Sequence, residues 1–216
     1  MPVSTMIVTA RPRRSSAVRA PVRTLLLHGP GAAASSWDAF AALAAPSLEL
    51  WDAELPWDGG CELPARLGRV CASVEGGADI VVAHCLAANL LLELLSGTCA
   101  PVPSAVVLVA PFHRPHARAA AARNTAARGR PGWLRLVDAY LSEPAPPLDG
   151  LGLPVLVLSG AQDTAARPAD GLALAAALPD SRARVMDGCG HFPMAERPGL
   201  FADLVNGFAA RVTGQT

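Results

Sequence analysis

Asp79-Ile80-Val81-Val82-Ala83-His84-Cys85-Leu86-Ala87-Ala88 changes character partway along. Its first half is a short, β-branched apolar run of the kind that makes a buried strand, and its second half opens the apolar, helix-compatible stretch Leu86–Leu95. A strand that stops at Cys85 and turns straight into a helix leaves a thiol at the carboxyl edge of a sheet. The backbone N–H groups and positive dipole end of that helix favour the thiolate form. The run from Asp79 to Leu95 also carries Asp79, His84 and Glu93, so it is a poor membrane span and no transmembrane segment is expected.

Similar strand-type runs recur on both sides, at Thr24–Leu27, Leu48–Trp51, Ala105–Ala110, Pro154–Ser159 and Ala183–Met186. Helix-compatible stretches lie between and around them at Ala34–Ala44, Pro64–Val74, Trp133–Leu141, Ala169–Leu178 and Met194–Val212. Alternation of this kind implies an α/β protein with a mostly parallel sheet and helices on both faces. The 216 residues fit a single domain spanning 1–216. Residues 113–150, with an Ala/Arg stretch and the tail Glu143-Pro144-Ala145-Pro146-Pro147, differ in character from the rest. They read as a small helical lid insertion, or as a plain surface crossover. The first 23 residues hold five arginines and no acid, as a transit peptide does. The run Met6–Thr9 followed by Ala10-Arg11-Pro12 reads instead as part of a small edge hairpin, which is the expectation here.

The residues around Cys85 resemble the nucleophile elbow G-x-S-x-G of the α/β-hydrolase fold superfamily, in a variant with a Cys nucleophile and with Ala83 and Ala87 in place of the glycines. Three further segments carry the resemblance. Leu25-Leu26-Leu27-His28-Gly29-Pro30-Gly31, with Trp37 behind it, resembles the strand and His-Gly loop that helps form an oxyanion hole. Val155 to Asp163, ending Ser159-Gly160-Ala161-Gln162-Asp163, resembles the strand whose end supplies the acid. Gly188-Cys189-Gly190-His191-Phe192-Pro193 resembles the loop that delivers the general base. Nucleophile, acid and base thus stand in the family's chain order over about Arg23 to Val212. The resemblance implies an α/β-hydrolase fold with catalytic Cys85, Asp163 and His191, and with the Leu86 N–H as an oxyanion donor. It also implies a second donor at the position of Pro30, which has no N–H to give; Gly31 is the alternative. Glu54-Leu55-Pro56-Trp57 resembles the family's D-x-P-G loop with Trp57 in place of glycine, either walling the pocket or covering a strand end.

The chemistry follows from side-chain types. An imidazole beside a thiol can take its proton near neutral pH, and a carboxylate behind the imidazole fixes its tautomer and stabilises its cation. Each residue also has a plainer reading: Cys85 as a buried small residue of a decayed enzyme, Asp163 as the cap of a turn, His84 as packing. His113 and His116 begin the insertion at the carboxyl end of a strand, where open α/β sheets bind ligands, and either touch substrate or lie in a solvated loop. Cys61, Cys71, Cys99 and Cys189 show no metal-ligand spacing, so neither a metal nor a cofactor is expected.

Zero net charge and a sequence pI of about 7.0 exclude a global field that would draw the chain to nucleic acid or an anionic membrane, leaving small-molecule or carrier-bound acyl substrates as expected partners. Five cysteines with no secretory signal fit a reducing cytoplasm. The expected function is acyl transfer to Cys85 from an ester, lactone or thioester, in a thioesterase, esterase, lactonase or acyltransferase. The alternative is a non-hydrolytic isomerase, cyclase or lyase, or a binding protein, of a biosynthetic pathway.

Overall fold

A computed structural model describes residues 11–12, 20–55, 57, 63–74, 76–97, 102–112, 140 and 145–214. Seven strands form one sheet: β1 (Arg11–Pro12), β2 (Val22–Leu27), β3 (Leu48–Ala53), β4 (Ile80–His84), β5 (Ala105–Val109), β6 (Val155–Gly160) and β7 (Ser181–Met186), in the order β1-β3-β2-β4-β5-β6-β7. β1 pairs antiparallel with β3 at the sheet's edge, and every other pairing is parallel. Of the expected edge hairpin, Arg11–Pro12 takes this edge place, and residues 1–10 lie outside the described residues.

The central strands are buried along their whole length because both faces are covered. β4 (Ile-Val-Val-Ala-His) and β5 (Ala-Val-Val-Leu-Val) are buried at every position, the continuous apolar pattern of a doubly covered parallel sheet. Alternate residues divide the core in two. Leu25, Leu27, Val81 and Ala83 face α2 (Leu63–Ala72), α3 (Leu86–Gly97) and α4 (Pro168–Ala176) through Leu67, Leu91 and Leu174. Leu26, Ile80, Val82 and Val107 face the other layer, built from α1 (Asp38–Ala41), α5 (Pro193–Glu196) and α6 (Pro198–Thr213). In that layer Trp37, Phe40 and Phe201 interlock with ring centroids 5.1–6.5 Å apart. β7 closes the far edge with Arg182, Arg184 and Val185 exposed, and two charged side chains on an edge discourage pairing with another chain.

Two expected helices differ from those formed. The stretch Ala34–Ala44 is a 3-10 turn at Ala34–Trp37 followed by the single-turn α1. The Ala45 N–H donates to Asn206 Oδ1 at 3.0 Å instead of continuing the helix, and α6 thereby ends it from across the layer. The expected Met194–Val212 helix is broken at Arg197, the residue before Pro198, into α5 and α6, because a residue preceding proline resists helical geometry. The expected helix 133–141 lies outside the described residues apart from helical Tyr140. The expected lid at 113–150 does so too, apart from Tyr140 and 145–150. No helix of the described residues is long and apolar enough to cross a membrane.

The chain moves outward from β2 to β3 on one side and then returns to β4 on the other. The carboxyl ends of β2 and β4 therefore flank a switch point, the place where open α/β sheets form a crevice.

Candidate active site

Cys85 sits at that crevice in the left-handed region, with φ 58°. The conformation costs a non-glycine residue roughly 1–2 kcal/mol. It is held by the Cys85 N–H, which donates to Val109 O at 2.8 Å, and by the Ala88 N–H, which donates to Cys85 O at 3.0 Å. The turn lifts the thiol off the end of β4 and starts α3 at Leu86, whose N–H lies in the first turn of the helix, where no intrahelical acceptor exists. Ala83 and Ala87 are fully buried, consistent with a close approach of strand and helix.

Gly29 shows why the neighbouring loop begins with glycine. A Cβ there would stand 2.6 Å from Cys85 Cβ and 2.9 Å from His84 O. The loop continues as a tight turn, Gly29-Pro30-Gly31-Ala32, closed by the Ala32 N–H donating to Gly29 O at 3.2 Å. Gly31 has φ 80°, and Pro at the second position with a left-handed Gly at the third is the pattern of a type II turn. Pro30 therefore has a conformational reason for its place, although it offers the crevice no N–H. The loop is tied to the end of β3 by Glu54, whose Oε2 lies 3.0 Å from His28 Nε2 and whose Oε1 accepts the Ala34 N–H at 3.1 Å. Trp57 stands edge-on to His28 at 6.5 Å and packs against the α2/α3 core layer.

The other half of the site comes from the ends of β6 and β7. A Cβ on Gly160 would collide with the Gly190 carbonyl oxygen and lie 2.6 Å from that of Cys189, so the loops carrying Asp163 and His191 touch backbone to backbone. They are stitched by the Gln162 N–H donating to Cys189 O at 3.0 Å. Asp163 is buried and uses both oxygens. Oδ1 accepts the N–H groups of Ala165 and Ala166 at 2.8 and 2.9 Å, and Oδ2 accepts His191 Nδ1–H at 2.7 Å. Turn cap and histidine partner, alternatives in the sequence, are two edges of one carboxylate.

Cys85 lies near enough for its charge to act on the His191 ring, so thiol, imidazole and carboxylate stand next to one another. Burial disfavours the imidazolium, but the charge of Cys85, the hydrogen bond that His191 donates to Asp163 and the charge of Asp163 outweigh it and raise the His191 pKa to about 10. His84 shows the opposite balance: complete burial and the neighbouring His191 charge push its pKa well below the ordinary value. Its Nε2–H donates to His191 O at 2.8 Å, and the two rings are 4.8 Å apart.

Burial raises the other described thiols. Cys71 is pushed to about 11, and Cys189 is raised by burial and the nearby Glu196 charge, its Sγ–H donating to Met186 O at 3.3 Å. His113, His116, Cys61 and Cys99 lie outside the described residues. Among the described residues no cluster of three or more His, Cys, Asp or Glu side chains has the arrangement to hold a metal ion.

Sequence reasoning gave no role to three residues that shape the site, although Glu54 stands in the stretch that resembles the D-x-P-G loop. Besides Glu54 these are Asn89, which takes the Phe112 N–H on Oδ1 at 2.9 Å and donates Nδ2 to Phe112 O at 2.7 Å, and Glu196, which accepts the N–H groups of Gly190 and Phe192 at 2.7 and 2.9 Å. The only signal for Asn89 was a polar residue inside the apolar run Leu86–Leu92.

The sheet order, the left-handed turn after β4 and the layered helices are those of the α/β-hydrolase fold. No protein-family model matches the sequence, and no curated protein does. Among solved structures, the chain is similar to the esterase RhEst1 from Rhodococcus sp. ECU1013, with 21% identity over 94% of each chain and a TM-score of 0.68. It is also similar to a thermophilic esterase from Thermogutta terrifontis, with 15% identity over 95% of this chain and 93% of that one and a TM-score of 0.73. A third similarity is to MGS-MChE2, an alpha/beta hydrolase enzyme from the metagenome of sediments of the Mar Chica lagoon, Morocco. There the identity is 16% over 87% and 90% of the chains, with a TM-score of 0.65. At these identities the likeness is one of fold.

Proposed function

We propose that the protein is an acyl-transferring enzyme in which Cys85 is the nucleophile, His191 the proton carrier and Asp163 the residue that orients His191. The Cys85 thiolate attacks the carbonyl carbon of an ester, lactone or thioester. The tetrahedral oxyanion collapses, the leaving group departs with the proton of the His191 imidazolium, and an acyl-Cys85 remains. Neutral His191 then takes a proton from water or another acceptor, whose attack on the acyl carbon releases the product and returns the thiolate. The N–H of Leu86 is the proposed oxyanion donor, with Gly31 as a second. Trp57 is the proposed wall of the acyl pocket, and His113 a proposed substrate contact.

One observation carries this reading. A strained, left-handed Cys85 at a strand–helix junction lies within electrostatic reach of a histidine that Asp163 holds at 2.7 Å. A cysteine serving only as core filler has no need of strain or of a charged partner. The substrates we propose are small-molecule or carrier-bound acyl compounds, in line with the esterase names of two similar folds. No cofactor enters the scheme, nucleic acid is not a proposed partner, and a reducing, cytoplasmic setting suits a working thiolate.

Intact-protein mass spectrometry after incubation with p-nitrophenyl acetate and with simple acyl thioesters tests the proposal. The expected result is a mass increase of one acyl group that maps to Cys85 and is absent from Cys85→Ala. Release of p-nitrophenol from Cys85→Ala at the wild-type rate would sink the reading.

A second reading has its own support in Pro30, which removes an N–H where the resemblance places an oxyanion donor. A protein of this kind would be a non-hydrolytic isomerase, cyclase or lyase, or a binding protein, and would form no acyl adduct with either probe.

A further inference from the structure

The imidazole of His191 is oriented by Asp163, but its backbone is held by two residues that the proposed chemistry does not use. The N–H groups on either side of His191, those of Gly190 and Phe192, both donate to the Glu196 carboxylate, at 2.7 Å to Oε2 and 2.9 Å to Oε1. The carbonyl of His191 itself accepts Nε2–H of His84 at 2.8 Å. Three successive residues of the base loop thus have a polar backbone group fixed by one side chain from the following helix and one from the nucleophile strand.

His84 immediately precedes Cys85. The residue that precedes Cys85 is thus tied to the base loop through its ring and the His191 carbonyl. A carbonyl can only accept, so the His84 proton must be on Nε2. That leaves Nδ1 bare, and Nδ1 is enclosed with no hydrogen-bond partner. A fully buried histidine with one nitrogen unsatisfied is a poor choice for packing alone, where an apolar residue of similar size serves better. Glu196 is exposed, and an exposed carboxylate engaged with two backbone N–H groups outside any regular helix or strand hydrogen bonding is likewise specific.

We propose, resting on the reading that Cys85 and His191 work as a pair, that Glu196 and His84 are positioning residues that set the distance and angle between the His191 ring and the Cys85 sulfur. Neither touches substrate in this scheme. Their contribution appears in how readily the sulfur reacts at neutral pH, because that depends on the imidazole being kept close to it.

The test is the rate of Cys85 alkylation by iodoacetamide, followed by peptide mapping from about pH 5.5 to 9.5, a range that spans an ordinary thiol's titration. It compares the wild type with Glu196→Ala, His84→Leu and His84→Gln, with the melting temperature of each. The wild type is expected to react fast through neutral pH. Glu196→Ala and His84→Leu should lose at least about fivefold at pH 7 and regain most of the wild-type rate at the alkaline end of the range. His84→Gln, whose amide can still donate to the His191 carbonyl, should recover most of the loss. A merely structural role would lower the melting temperature and leave the pH profile where it was, and that result overturns the proposal. Should His84→Leu fail to fold, the exposed Glu196→Ala decides alone, and a wild-type profile for it refutes the inference. A wild type that itself titrates as an ordinary thiol refutes instead the Cys85–His191 pair on which the inference stands.

Discussion

Asp163→Asn separates what the two carboxylate oxygens do. The asparagine oxygen can remain where Oδ1 is, accepting the Ala165 and Ala166 N–H groups at 2.8 and 2.9 Å, so the turn after β6 keeps its cap. The amide nitrogen then replaces Oδ2, 2.7 Å from His191 Nδ1. Two donors face each other there, and the ring escapes only by giving up the Nδ1 proton and carrying its proton on Nε2. An imidazole in that tautomer cannot accept a proton at Nε2, and the imidazolium has lost both the charge and the hydrogen bond of Asp163. The cost to folding should be that of one altered hydrogen bond, about 1–3 kcal/mol. The cost to catalysis should be far larger, on the order of 10³–10⁴ in rate, by analogy with loss of the orienting carboxylate in triad enzymes. The assay is the rate of acyl-Cys85 formation from p-nitrophenyl acetate under single-turnover conditions, with thermal unfolding alongside. Acylation within tenfold of wild type in a variant that melts normally would refute the role given to Asp163. Asp163→Ala, which also removes the turn cap, should be both inactive and clearly less stable.

Three further outcomes are expected. In Cys85→Ser the His191 imidazolium should titrate lower than in the wild type, because the Cys85 charge is among the causes that raise it; nuclear magnetic resonance of the ring against pH reads this, and an unchanged titration contradicts it. Among the described thiols Cys85 should alkylate first at neutral pH, since burial raises Cys71 to about 11 and also raises Cys189; peptide mapping that finds either of those modified before Cys85 refutes it. Pro30→Gly should restore an N–H and raise p-nitrophenyl acetate turnover at least several-fold, one oxyanion donor being worth on the order of 10²–10³ in rate, while relaxing the type II turn at a cost of about 0.4–1 kcal/mol; vigorous wild-type turnover unaffected by the change would show that Gly31 already serves.

How much of this was legible in the sequence depended on whether a residue's role was periodic or singular. The core strands could be read because β4 and β5 are unbroken apolar runs, and a doubly covered parallel sheet permits nothing else there. The places of Cys85, Asp163 and His191 in the fold could be read because each follows a strand or a glycine-rich loop at the carboxyl edge of the sheet. Glu54, Asn89 and Glu196 could not. Each binds backbone groups brought near by the fold, and a single carboxylate or amide aimed at a distant N–H leaves no period and no composition shift. The break at Arg197 was visible in Pro198 but was passed over, because the apolar positions Phe201, Val205 and Phe208 of α6 continue a helical spacing through it. His84 reads as packing in the sequence and is fully buried; its Nε2 bond to the His191 carbonyl depends on a loop 107 residues away.

The electrostatics of the site bear on which half of the proposed reaction is slow. While Cys85 is a thiolate, His191 lies between two anions and is held as a cation, with its pKa at about 10. In that state it is a good proton donor to a leaving group and a poor base. Acylation removes the charge on sulfur, and with it one of the causes that raise the ring's pKa, so the same histidine becomes more ready to accept a proton just when an acceptor must be activated. Asp163 remains, and its hydrogen bond and charge still oppose the effect of burial on the ring. Below the acyl-enzyme's His191 pKa the ring regains a proton from solvent, and the share of enzyme with a neutral base should then limit deacylation. The acyl-Cys85 form should accumulate below that pH and drain faster as pH rises. An acceptor that arrives already deprotonated, such as a second thiolate, needs no base and escapes this limit. On the proposed mechanism, hydrolysis should therefore rise with pH until His191 of the acyl-enzyme is neutral, while transfer to an added thiol follows the thiol's own titration; a hydrolysis rate that is flat with pH would remove the cationic His191 from the slow step.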